Sequence, residues 1–163
     1  MSATRRRLLL AAGAAPLAFA AAAAAAPRSD HDILKRLLSR ERRLEAAYEA
    51  ALRRGALDEV LARALRDHER DHARGLEMTL ETRGGHVPAP PEPDAALRSS
   101  LRSGAAFARY ALRLEDRAVR AYVDAVAGLS DTGLLQPLGS IMASEAQHQV
   151  ALRRFLGEPL LGV

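Results

Sequence analysis

Asp67-His-Glu-Arg-Asp-His72 and Ile141-Met-Ala-Ser-Glu145-Ala-Gln-His148 each hold a glutamate followed three residues later by a histidine. On a helix, positions i and i+3 share a face, so each pair can present a carboxylate and an imidazole to one point. Around the first pair, Leu61, Leu65, His68, Glu69, His72, Leu76 and Leu80 form a stripe at helical period. Around the second, Leu138, Ile141, Glu145, His148, Leu152 and Phe155 do the same. Both histidine-bearing segments are therefore expected to be helices, roughly Leu57 to Thr82 and Leu134 to Leu156, with Pro137 tolerated in a first turn.

Two more helices follow from the same period. One runs roughly from Asp30 to Arg54, with the stripe Leu34, Leu37, Leu38, Glu41, Leu44, Tyr48, Ala51 and Leu52, and Gly55 ends it. The other runs roughly from Gly104 to Gly128, with Ala108, Ala111, Glu115, Ala118, Tyr122, Ala125 and Leu129. Ser130 and Asp131 offer a cap after it. Gly84-Gly85 closes the second helix. Pro88, Pro90, Pro91 and Pro93 then bar a helix from His86 to Asp94, where Asp94 can cap a short helix through Arg102. That connection is too long for a tight hairpin and suits a crossover along a bundle. The layout is hairpin, long crossover, hairpin: one all-α four-helix bundle.

The two halves repeat. Glu41 is followed seven residues later by Tyr48, and Glu115 by Tyr122; the Glu-to-Glu spacings, Glu41 to Glu69 and Glu115 to Glu145, are 28 and 30 residues. Every core stripe thus carries a carboxylate, and none carries Lys or Arg. Burying one ionised glutamate costs several kcal/mol unless it is paired. Four in one core call for cations, and two divalent metals would balance them. Oxygen and imidazole donors without sulfur suit iron or manganese.

Two Glu-x-x-His pairs on alternate helices, with a glutamate from each of the other two, are the arrangement of ferritin-like di-iron and di-manganese proteins. On these residues the chain resembles the ferritin-like superfamily, and within it the exported group that includes desiccation-related proteins. The resemblance implies a ferritin-like four-helix bundle holding two Fe or two Mn ions. It makes Glu41 and Glu115 terminal ligands, Glu69 and Glu145 bridging ligands, and puts His72 and His148 on one metal each. Glu45 competes with Glu41 for the stripe of its helix; the repeat favours Glu41. Tyr48 and Tyr122 fit either packed aromatics whose hydroxyls have found partners or groups that hydrogen-bond a ligand or supply an electron. His68 suits the second layer or the surface better than a ligand role, and no role is expected for His31 or His86.

The resemblance implies oxidation of Fe(II) or disposal of peroxide or dioxygen. The alternative is a non-catalytic stress-protection or binding protein whose metal site is structural or vestigial. Cage-type iron storage fits less well, because only seven residues follow Leu156. Haem is not expected, because Arg70 stands where bacterioferritins carry their haem methionine. A homodimer is compatible with the family.

The chain has 163 residues, a net charge of +4 and no cysteine, which excludes disulfides, thiolate metal sites and Fe–S clusters. Thr4-Arg5-Arg6-Arg7-Leu8-Leu9-Leu10 resembles a twin-arginine motif and precedes a mildly apolar, alanine-rich run to Ala26. Residues 1–26 are therefore expected to be a signal peptide and 27–163 the exported domain, periplasmic or extracellular. Removing the three arginines leaves a charge of +1, with no basic patch interleaved with aromatics to support nucleic-acid binding. The charged outer faces of the mature helices argue against membrane insertion.

Overall fold

Ser29 opens the first helix: its Oγ accepts the Asp32 N–H at 3.2 Å. The computed structural model describes residues 29–92 and 94–160; the expected signal peptide lies outside them. α1 spans Asp30–Arg54, α2 Glu59–Thr82, α3 Ala95–Ser100, α4 Gly104–Gly128 and α5 Leu135–Leu156. Gly55 at φ 60° and Gly157 at φ 68° take the left-handed conformation that ends α1 and α5.

Three boundaries differ from the sequence reading. α2 begins at Glu59 rather than Leu57, because the Asp58 carboxylate accepts the Leu61 N–H at 2.9 Å and fixes the cap there. The last long helix is preceded by a 3-10 turn, Thr132–Leu134, capped by Asp131 through the Gly133 N–H at 2.8 Å. The short helix stops at Ser100, two residues before Arg102.

The connection from α2 to α4 travels the length of the bundle. At its start, the Arg83 carbonyl lies 3.1 Å from His31 Nε2, beside the N-terminus of α1. At its end, Gly104 lies against the Ala56 carbonyl and the Phe155 ring, at the C-terminal ends of α1 and α5. Arg42 clamps the path. Its guanidinium pairs with Glu77 at 2.7 Å and donates to the Pro88 carbonyl. α1 is thereby antiparallel to α2 and α4, and α2 and α4 run parallel. The Asp30 carboxylate ties the far end, accepting the N–H groups of Ser130 and Asp131, each at 2.9 Å.

Apolar residues form two buried clusters. One, towards the C-terminal end of α1, includes Leu44, Tyr48, Leu65, Phe107, Ala111 and Leu152. The other, towards its N-terminal end, includes Leu34, Leu38, Leu76, Leu80, Tyr122 and Leu138. Leu52, Leu61, Leu129 and Ile141 are only partly buried and pack on the edges of these clusters. Phe155, expected in the core, is 40% exposed: in the last turn of α5 its ring meets Gly104 at the start of α4, which has no side chain to cover it. No helix among the described residues is long and apolar enough to cross a membrane.

Candidate metal centre

Between the two apolar clusters lies a polar layer. Glu41 of α1, Glu69 of α2, Glu115 of α4 and Glu145 of α5 are each 0% exposed, and His148 is buried. His72 reaches the layer from α2 with 13% of its side chain exposed. The repeated helical stripe puts all six there, because each glutamate occupies an inward position that a leucine would otherwise fill.

The six side chains form two overlapping groups. Glu41, Glu69, His72 and Glu145 offer ligand atoms within 4.8 Å of one another, as do Glu69, Glu115, Glu145 and His148. Glu69 and Glu145 belong to both groups. His72 Nδ1 lies 2.9 Å from Glu145 Oε1 and 3.4 Å from Glu41 Oε2. His148 Nδ1 lies 2.9 Å from Glu69 Oε1 and 3.6 Å from Glu115 Oε1. Each imidazole leans on the bridging glutamate of the opposite half, so the sequence repeat becomes a pseudo-twofold relation in space.

The tyrosines follow the same relation. Tyr48 of α1 donates its hydroxyl to Glu115 of α4, and Tyr122 of α4 donates to Glu41 of α1 at 2.8 Å. Each tyrosine thus holds one oxygen of a buried glutamate and leaves Oε2 of Glu41 or Glu115 without a partner. Burial, then the nearby carboxylates, push both phenols well above their usual range, so they remain donors.

The layer's electrostatics follow from burial and crowding. Burial pushes Glu41 up to about 8 against the opposing pull of His72. Glu115 is raised well above the carboxylate range, by burial first and then by the adjacent Glu145 and Glu69 carboxyl groups. Burial would raise Glu145, but the closeness of Glu115, His148 and His72 holds it well below that range. Burial would lower both imidazoles; the surrounding carboxylates overturn this and raise His72 to about 11 and His148 to about 12.

Among the described residues, eight buried side-chain atoms have no hydrogen-bond partner, and all eight belong to these six residues: oxygens of Glu41, Glu69, Glu115 and Glu145, and Nδ1 of His72 and His148. Native interiors seldom leave such atoms unpaired, and each costs about 1–3 kcal/mol. Among the described residues, no lysine or arginine pairs with any of the four glutamates. A donor set of oxygens and imidazoles facing inward with no resident cation fits divalent metal ions.

The structure also separates the neighbours. Glu45 turns outward and pairs with Arg70 at 2.8 Å, so it belongs to neither group. His68 is exposed, yet its Nδ1 lies 3.0 Å from His148 Nε2. Residue spacing on α2 did not reveal that contact, which crosses to α5. His86 is exposed and in neither group. A surface cleft of about 240 Å³, lined by Arg36, Arg40, Arg43 and Arg117, contains none of the six residues.

A carboxylate and imidazole layer inside a crossover-connected bundle defines a ferritin-like protein. The chain belongs to the ferritin-like domain family, whose model matches residues 29–158. Its fold is similar to the crystal structure of a conserved hypothetical protein from Mycobacterium tuberculosis, with a TM-score of 0.69 and 19% identity. That likeness covers 82% of this chain and 95% of the other. Comparison with curated proteins gives no match.

Proposed function

We propose that this chain is an exported metalloprotein that holds two iron or manganese ions and uses them to oxidise Fe(II) or to remove peroxide or dioxygen. One observation carries the metal reading: among the described residues, the buried polar atoms left unpaired all belong to the six residues that converge in one layer. Glu41 and His72 would hold one ion, Glu115 and His148 the other, with Glu69 and Glu145 shared. When bound, two adjacent redox ions supply the two electrons that peroxide reduction needs.

The chain's own residues do the rest. Tyr48 and Tyr122 orient the terminal carboxylates through their hydroxyls. The apolar clusters above and below exclude bulk water and strengthen electrostatic interactions within the layer. Export through the twin-arginine route, which carries folded cargo, is part of the proposal and rests on Arg5, Arg6 and the apolar run after them.

The activity is tested with the purified domain loaded with Fe²⁺ or Mn²⁺. Peroxide consumption and Fe(II) oxidation are followed beside an E145A/H148A variant. Turnover in the parent that is absent in the variant supports the reading. Stoichiometric metal with no turnover of either kind would leave a structural site and remove the redox function.

A further inference from the structure

The pseudo-twofold layer is broken just outside the six residues. Glu69 is preceded by His68, and the equivalent residue before Glu145 is Ser144. Both of these outer residues converge on the same imidazole. His68 Nδ1 lies 3.0 Å from His148 Nε2, and Ser144 Oγ lies 3.3 Å from it. The His68 and His148 rings are 18° from parallel with centroids 5.3 Å apart, which together with the 3.0 Å Nδ1–Nε2 distance sets them edge to edge, as an imidazole hydrogen bond requires. His72 has no equivalent among the hydrogen bonds of the described residues. Its side chain is 13% exposed, against 3% for His148.

We propose that His68 is a positioning residue that makes the two metal positions unequal. The His148–Glu115 position is filled first and holds its ion. The His72–Glu41 position is the weaker, exchangeable one, opening towards solvent. This rests on the metal-centre reading above.

His148 Nδ1 faces Glu69 and Glu115, so it is the nitrogen that meets a metal and must then carry no proton. The one ring hydrogen left to a His148 that binds metal is then on Nε2, where His68 Nδ1 lies 3.0 Å away and Ser144 Oγ 3.3 Å away as acceptors. Such outer partners fix the ring and its tautomer, and losing one typically weakens metal binding about 10- to 100-fold. Nothing among the described side chains does this for His72.

The test is a calorimetric and visible-absorption titration of the metal-free domain with Co²⁺ alone. The parent is expected to bind two ions in two resolved steps. His68→Ala should weaken the tighter step about 10- to 100-fold and leave the weaker one nearly unchanged. His68→Asn, which keeps an acceptor close to the Nδ1 position, should recover most of the loss. His72→Ala should retain the tight step, and His148→Ala only the weak one. Because His68 is exposed, its replacement leaves the core intact, and circular dichroism verifies this. Two equal steps in the parent, or an H68A variant that matches it, would overturn the inference while leaving the metal centre standing. A parent that binds no Co²⁺ would overturn the metal reading and this inference with it.

Discussion

Glu41 and Glu45 lie one helical turn apart on α1, and the sequence period admits either to the inner stripe. Three-dimensional packing separates them: Glu41 is fully buried against Tyr122, and Glu45 meets Arg70 outside. Glu41→Gln should therefore lower the number of Co²⁺ ions bound at saturation. Glu45→Gln should leave that number unchanged and alter stability by no more than about 1 kcal/mol, as for other part-exposed ion pairs. Visible-absorption titration of both variants checks this. Tyr122 offers a second residue-scale test. A merely packed ring would tolerate Tyr122→Phe, but here the change strips a buried carboxylate of its donor. The expected loss is about 1–3 kcal/mol in urea unfolding of the metal-free domain. A neutral result would reduce Tyr122 to packing.

At the scale of elements, most of the bundle was legible because glycine and proline punctuate it. Gly55 closes α1, and prolines 88, 90 and 91 keep the start of the crossover out of helix. The misjudged details depend on groups that periodicity does not weigh. Asp58 fixes the start of α2 by a side-chain bond, and Asp131 nucleates a 3-10 turn before α5. Phe155 has the right period but meets the bare backbone of Gly104 at the bundle's end. The contact of His68 with His148 joins residues 80 apart and has no local signal. The hold of Arg42 on the crossover is likewise long-range. Arg42→Ala removes its bonds to Glu77 and Pro88. Limited proteolysis within residues 86–94 should then accelerate several-fold while far-ultraviolet circular dichroism stays unchanged. Unchanged cleavage would mean that the crossover is held by its apolar contacts alone.

For the whole molecule, the polar layer sets the response to pH. Glu41, raised from an ordinary value of 4.5 to about 8, keeps a proton that the unfolded chain loses. His72 and His148, raised from 6.5 to about 11 and about 12, do the same. The folded metal-free chain binds more protons than the unfolded one, so its stability falls as pH rises through this range. Glu145 acts in the opposite sense, losing stabilisation only as pH drops below the usual carboxylate range. The Tm of the metal-free domain should fall steadily from pH 5.5 to 8.5. Added Mn²⁺ must displace those protons, so the Tm gain it gives should grow over the same interval. A metal-free Tm that rises with pH there would contradict the described electrostatics.

Metal stoichiometry tests the central claim most directly. The domain is purified without chelator and analysed by plasma mass spectrometry beside the E145A/H148A variant. The account predicts about two Fe or Mn ions per chain in the parent and their loss in the variant, in line with the two overlapping ligand groups. A stably helical parent that carries no stoichiometric metal, and takes up none when Fe²⁺ or Mn²⁺ is supplied, would contradict it.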